Sequence, residues 1–119
     1  MTGYEKLNVW QESMNLVTQI YKIVKKLPKE EMYSLSDQIR RSAVSIPSNI
    51  AEGSSRNSKK EFIQFLYVSL GSLCELETQL KICINIGYLQ NIENIFLQTE
   101  KIKKMINALI SSLKKDAVK

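Results

Sequence analysis

The sequence has no histidine, which removes the commonest general base and the commonest metal ligand from its chemistry. Cysteine is scarce too: Cys74 and Cys83 are the whole supply. On one helix their spacing separates them by about 13 Å of rise, well beyond the ~7 Å between Cα atoms that a disulfide tolerates. Two thiols without histidine also fall short of a zinc site, so reduced thiols in a cytosolic protein are the expectation. Long apolar runs are missing. The longest uncharged stretch, Phe62–Cys74, has 13 residues, against about 20 for a membrane span. The opening MTGYEKLNVWQE is charged throughout and lacks the apolar core of a signal peptide. A soluble, cytoplasmic chain with no membrane partner is expected. Catalytic constellations are absent as well: there is no glycine-rich phosphate loop and no Glu-x-x-His pair. Glu75 and Glu77, two apart on a helix, point in different directions. The expectation is no enzyme, no catalytic residue, no metal and no cofactor.

What is present is an ordinary globular composition, 44% hydrophobic and 24% charged over 119 residues, the size of one domain (1–119). Two prolines and four glycines punctuate it. Between the breaks apolar residues recur at alternating spacings of three and four, the period of a helix. The first segment places Trp10, Met14, Val17, Tyr21 and Val24 on one seam, widened by Val9, Leu16, Ile20, Ile23 and Leu27. The second carries Ile39, Ala43, Ile46 and Ile50, with Ser36 as expected N-cap and Gly53 as expected stop. The third opens on Ser58-Lys59-Lys60-Glu61, a capping box. It then keeps heptad spacing through Phe62, Leu66, Ser69, Leu73, Leu76, Leu80 and Cys83, up to Gly87. The fourth repeats the spacing through Ile95, Thr99, Ile102, Ile106, Leu109 and Leu113. Helices over about 8–27, 36–52, 59–86 and 92–115, joined by short connections, give an all-α, antiparallel, up-down-up-down four-helix bundle.

Several features exceed what a plain bundle needs. Pro47 lies inside the second helix, where it removes a donor and opposes the carbonyl of Ala43, so a kink or break is expected. Ser42, Ser45, Ser48 and Asn49 stand ready to supply hydrogen bonds there. The third helix carries a second face of Tyr67, Val68, Gly71, Cys74, Thr78 and Ile82, where Lys, Glu and Gln would be usual. A mid-helix glycine costs about 1 kcal/mol relative to alanine. Close approach of a second protomer would account for it, and these six residues form the expected homo-oligomer interface; the alternative is a central helix wrapped within one chain.

Net charge is +5, from 17 basic and 12 acidic residues. In an up-down bundle the end of the first helix lies beside the start of the fourth. Lys22, Lys25 and Lys26 would then join Lys101, Lys103 and Lys104 in one patch able to neutralise phosphates, unless these lysines merely solvate helix backs. No aromatics interleave with these lysines in sequence, which leaves base readout little support. Arg40 and Arg41 suit ion pairs with Asp37, and Arg56 stands near Glu52 and Glu61; phosphate clamping by these arginines is the alternative.

The run from Gln38 to Gly53, QIRRSAVSIPSNIAEG, followed by Arg56 and Ser58, resembles the signature of the 23S rRNA intervening-sequence proteins. Val9-Trp10-Gln11, Ile20-Tyr21, Lys60-Glu61-Phe62, Gly71-Ser72-Leu73, the stretch Glu75 to Leu80 and Gly87-Tyr88-Leu89 are similar to the same family. The likeness covers roughly Tyr4 to Leu113. Leu27 before Pro28 and the Ser54-Ser55 pair depart mildly from it. The resemblance implies a four-helix bundle assembled as a homopentamer, and a role that is poorly defined. A similar fold serves as the accessory protein of diversity-generating retroelements, which binds nucleic acid and a reverse transcriptase. RNA or DNA and such a protein partner are therefore the expected ligands, with a protein–protein adaptor lacking any nucleic-acid role as the alternative.

Overall fold

A computed structural model describes residues 3–118. Its helices are α1 (Asn8–Val24), α2 (Leu35–Ser54), α3 (Lys59–Asn85) and α4 (Glu93–Val118), with short 3-10 turns at Gly3–Lys6 and Lys29–Glu31. Each helix packs on its sequence neighbours and α1 closes against α4, giving a rod with extents of 51 × 22 × 21 Å. Cross-helix contacts run antiparallel. On α2 and α3, Ser42 meets Gln79, Ser45 meets Ser72 and Ile46 meets Ser69. On α3 and α4, Tyr67 meets Lys114 and Glu77 meets Thr99. The expected four-helix bundle is the fold.

The core is the apolar stripe of each helix. Leu16, Ile20, Ile39, Ile46, Ile50, Leu66, Leu73, Leu76, Leu80, Ile95, Ile102 and Ile106 are fully buried; each contributes about 1.5–3 kcal/mol relative to exposure. The first helix stops at Val24 rather than Leu27, because a residue preceding proline is pushed out of the helical region. The chain tightens there through bonds from Lys26 N to Ile23 O (3.0 Å) and Leu27 N to Val24 O (3.1 Å). Leu27 stays buried.

Two expected punctuation marks play other parts. Ser36 is not the N-cap of α2: Ser34 occupies that position, and Ser36 lies buried inside the helix. Gly53 does not stop α2 either. It lies within the helix, without a left-handed φ, where a Cβ would sit 2.7 Å from Phe65 Cβ and 3.0 Å from Phe62 Cδ1. Its smallness lets α2 touch α3. Pro47 does not break the helix; α2 runs unbroken through it with the ring buried. Polar neighbours hold the backbone on both sides. Ser69 Oγ donates to Ile46 O (2.9 Å), Asn49 Nδ2 to Ser45 O (2.8 Å), and Ser48 Oγ to Val44 O (2.7 Å).

The third helix starts and ends as its sequence indicates. Ser58 Oγ accepts from Glu61 N at 3.1 Å. Gly87 takes φ +89, with Tyr88 N bonded to Cys83 O (2.8 Å) and Gly87 N to Ile84 O (3.1 Å), the pairing of a Schellman stop.

Candidate nucleic-acid interface

The seam Trp10–Met14–Val17–Tyr21 of α1 is only half covered. The helix turns Val9, Leu16, Ile20 and Ile23 into the core, and the adjoining seam falls at the lip between α1 and α2. Trp10, Met14 and Val17 line a shallow apolar groove with Val44 and Pro47 of α2. Tyr4 closes its upper end, edge-on to Trp10 at 5.3 Å between ring centroids. One turn further, Tyr21 remains 44% exposed.

Cations gather around Tyr21. Lys22 and Lys25 flank it on α1, and Arg40 and Arg41 face it from α2. Lys26 follows in the turn after α1 and is exposed. The connection between α1 and α2 adds Lys29. Among the described residues no ion pair or side-chain hydrogen bond holds the ammonium of Lys22, Lys25, Lys26 or Lys29. Arg40 donates Nη2 to Met32 O (3.1 Å) and meets no carboxylate, so its expected pair with Asp37 does not form. Arg41 takes that carboxylate instead, Nε to Asp37 Oδ2 at 2.9 Å, in an exposed pair worth about 0.3–0.5 kcal/mol. Glu31 is engaged elsewhere, accepting from Ser34 Oγ and Tyr88 Oη. Those bonds hold its carboxyl below the usual range and push the Tyr88 phenol up.

The lysines of α4 do not join this cluster. Lys101 binds Glu12 at 3.1 Å, about ten residues and roughly 15 Å of helix rise from Lys22. Lys103, two positions on, projects to the other flank and reaches Glu77 of α3 and Glu100. Its side chain is 22% exposed. Burial opposes charge on both members. It would raise the Glu77 carboxyl, but bonds from Lys103 and Thr99 outweigh it and the carboxyl lies below its ordinary value. It would lower Lys103, but the bonds to Glu77 and Glu100 hold that ammonium above its ordinary value. Lys103 is thus a bundle tie. Lys104 is exposed and unpartnered among the described residues, on a different helix from the Tyr21 cluster. Arg56 lies at the opposite end of α2, bonded to Glu52 (2.9 Å) rather than Glu61, with its guanidinium 5.0 Å from the Phe65 ring centre. The expected single patch therefore resolves into one cluster at the α1–α2 end and separate, mostly paired cations elsewhere.

The aromatic that the lysines were expected to lack is Tyr21. Its spacing puts it on the core seam, where periodicity alone reads it as packing.

The second face of α3 is open in the single chain. Tyr67, Val68 and Ile82 are 49%, 50% and 43% exposed, and Gly71, Cys74 and Thr78 are exposed with them. Nothing lies within 4 Å of where a Gly71 Cβ would be. Lys114 Nζ donates to Tyr67 Oη at 3.0 Å at one edge of this face. The chain's own helices thus do not wrap it. Cys83 is buried, which pushes its thiol pKa up. Among the described residues no group of three acidic or thiol side chains could hold a metal ion. No helix among them is long and apolar enough to cross a membrane.

Comparison with known proteins agrees with this architecture. No curated protein matches the sequence. A solved structure, a protein of unknown function from the S23 ribosomal protein family of Bacteroides thetaiotaomicron, is similar at 28% identity with a TM-score of 0.79. The likeness covers 86% of this chain and 97% of that one. The family model for the 23S rRNA-intervening sequence protein matches residues 5–108. The chain therefore belongs to the 23S rRNA-intervening sequence protein family.

Proposed function

We propose that this chain is a non-enzymatic, cytoplasmic, homo-oligomeric bundle that binds nucleic acid, RNA foremost, through phosphate contacts at the α1–α2 end. One observation carries the reading. Six basic side chains, Lys22, Lys25, Lys26, Lys29, Arg40 and Arg41, stand at that end against the three acids Glu30, Glu31 and Asp37. Among the described residues all of these cations but Arg41 lack a carboxylate partner, whereas Lys101 and Arg56 each meet one and Lys103 meets two. Unpaired cations clustered on one surface supply the counterion-release term that dominates binding to phosphates. The open face of α3 supports self-association, since an apolar helix face that its own chain leaves wet is a natural contact for a second copy.

A fluorescence titration with structured RNA at 50 and 200 mM salt, beside sedimentation of the free protein, tests both halves. Binding at low salt that weakens steeply at high salt is expected, with a sedimenting species larger than a monomer. Absent low-salt affinity, or affinity indifferent to salt, contradicts the phosphate reading. A monomer at micromolar concentration contradicts the assembly.

A further inference from the structure

We infer that the strand held at the α1–α2 end is single-stranded, with one base stacked on the exposed face of Tyr21; this rests on the nucleic-acid reading above. Most of the other large rings are occupied, the exception being Tyr33, which is 91% exposed in the turn before α2. Trp10 is packed edge-on by Tyr4, Phe65 carries Arg56, Phe96 carries Lys81 and Tyr67 carries Lys114. Tyr88 is bonded to Glu31. Tyr21 has no ring partner, cation partner or hydroxyl partner among the described residues, although five cations line the hollows beside it.

Its position adds to this. The Tyr21 side chain is the common wall of three adjoining hollows of about 430, 450 and 520 Å³. One opens towards Lys22 and Lys25, one towards Arg40 and Arg41, and one towards Lys25, Lys29 and Arg40. A strand crossing from α1 to α2 would therefore meet a cation, then an open aromatic face, then a cation. That order is the recurrent solution for single-stranded nucleic acid, in which a cationic track follows the backbone and a ring receives a base. A duplex keeps its base faces inside the stack, so it can engage the cations but offers no base face to the ring. Asp37 lies within the second hollow, and its charge is already met by Arg41.

The test is fluorescence anisotropy on the full chain with labelled oligo(rU), oligo(dT) and a duplex of equal length. The proteins are wild type, Tyr21→Phe, Tyr21→Leu and Tyr21→Ala, with circular dichroism and sedimentation on each. The wild type should bind the single strands more tightly than the duplex. Tyr21→Ala should weaken single-strand binding about five- to hundredfold and leave duplex binding unchanged. Tyr21→Phe should retain affinity and Tyr21→Leu should lose it, because leucine restores apolar volume without a π face. The two oligonucleotides show which sugar the site accepts. If the wild type binds nucleic acid and Tyr21→Leu matches it, or if single strand and duplex weaken together, stacking is wrong while phosphate binding stands. If the wild type binds none of the three probes, both readings fall. If Tyr21→Ala changes the sedimenting species, this face joins copies of the chain and the stacking assignment is overturned.

Discussion

Two glycine-to-alanine substitutions in adjacent helices should move stability in opposite directions. Alanine is favoured over glycine in a helix interior by about 1 kcal/mol. At Gly71 nothing lies within 4 Å of the new Cβ, so Gly71→Ala should stabilise the single chain by about 0.5–1 kcal/mol. At Gly53 the Cβ would lie 2.7 Å from Phe65 Cβ and 3.3 Å from Phe62 O. Neither atom is the free end of a side chain, so α2 and α3 must separate locally. Overpacking of this kind costs about 1–3 kcal/mol. It outweighs a propensity gain that is small so near the end of α2, leaving a net loss of about 1–2 kcal/mol. For a chain of this size each kcal/mol shifts Tm by roughly 3–6 °C. Urea and thermal unfolding of both variants, read by circular dichroism, measure the difference. A Gly53→Ala protein as stable as wild type would refute the close approach of α2 to α3. Sedimentation of Gly71→Ala adds a second readout. If a neighbouring protomer packs tightly on that face, the methyl group should weaken assembly even as it strengthens the isolated helix.

Further outcomes follow from the buried pair and the α3 stop. Glu77→Gln leaves the partly buried Lys103 ammonium with only Glu100, and should cost about 1–3 kcal/mol at pH 7. The Glu77 carboxyl is held below its ordinary value, so its stabilisation is complete above about pH 4.5 and is lost as pH falls through the folded-state value. The gap between wild type and Glu77→Gln should therefore narrow below about pH 4; denaturation curves showing a constant gap from pH 7 to pH 3 would contradict the pairing. Gly87→Ala places a Cβ at φ +89 and should destabilise by about 1–2 kcal/mol, with nucleic-acid affinity unchanged; a neutral result in urea would show that the turn adopts another form.

The helices were legible because each carries a long 3.6-residue stripe, and because Ser58 and Gly87 act through their own backbone neighbours. Gly53 and Ser36 depart from their sequence reading for the opposite reason. A glycine after a periodic segment looks like a stop, and only the distance to Phe65 shows that it is a contact. The α1 seam shows the same limit. Periodicity tells which residues share a face, not which neighbour covers it, so Tyr21 and Met14 passed for core while lying on a lip. Charge placement depended on partners far away in sequence. Lys101 and Lys103 differ by two positions, yet one is met by Glu12 of α1 and the other by Glu77 of α3. Within the Gln38–Gly53 run, the structure separates two duties. Ser42, Ser45 and Gly53 face α3, with the Ser42 hydroxyl donating to Glu75 Oε1 at 2.6 Å and the Ser45 and Ser72 hydroxyls 2.7 Å apart. Arg40 and Arg41 face Tyr21 instead.

The central claim is that phosphates are met at the α1–α2 end and not along α4. Its most direct measurement is the slope of log affinity against log salt for a single-stranded oligonucleotide, on three proteins. Four contacts from Lys22, Lys25, Lys29 and Arg40, which line the hollows beside Tyr21, give the wild type a slope of about −3, close to fiftyfold between 50 and 200 mM salt. Changing those four side chains to glutamine should flatten the slope and remove low-salt binding. Changing Lys101 and Lys104 of α4 to glutamine should leave the slope within about one unit of wild type. The reverse pattern, with α4 controlling the slope and the Tyr21 cluster silent, would contradict the account.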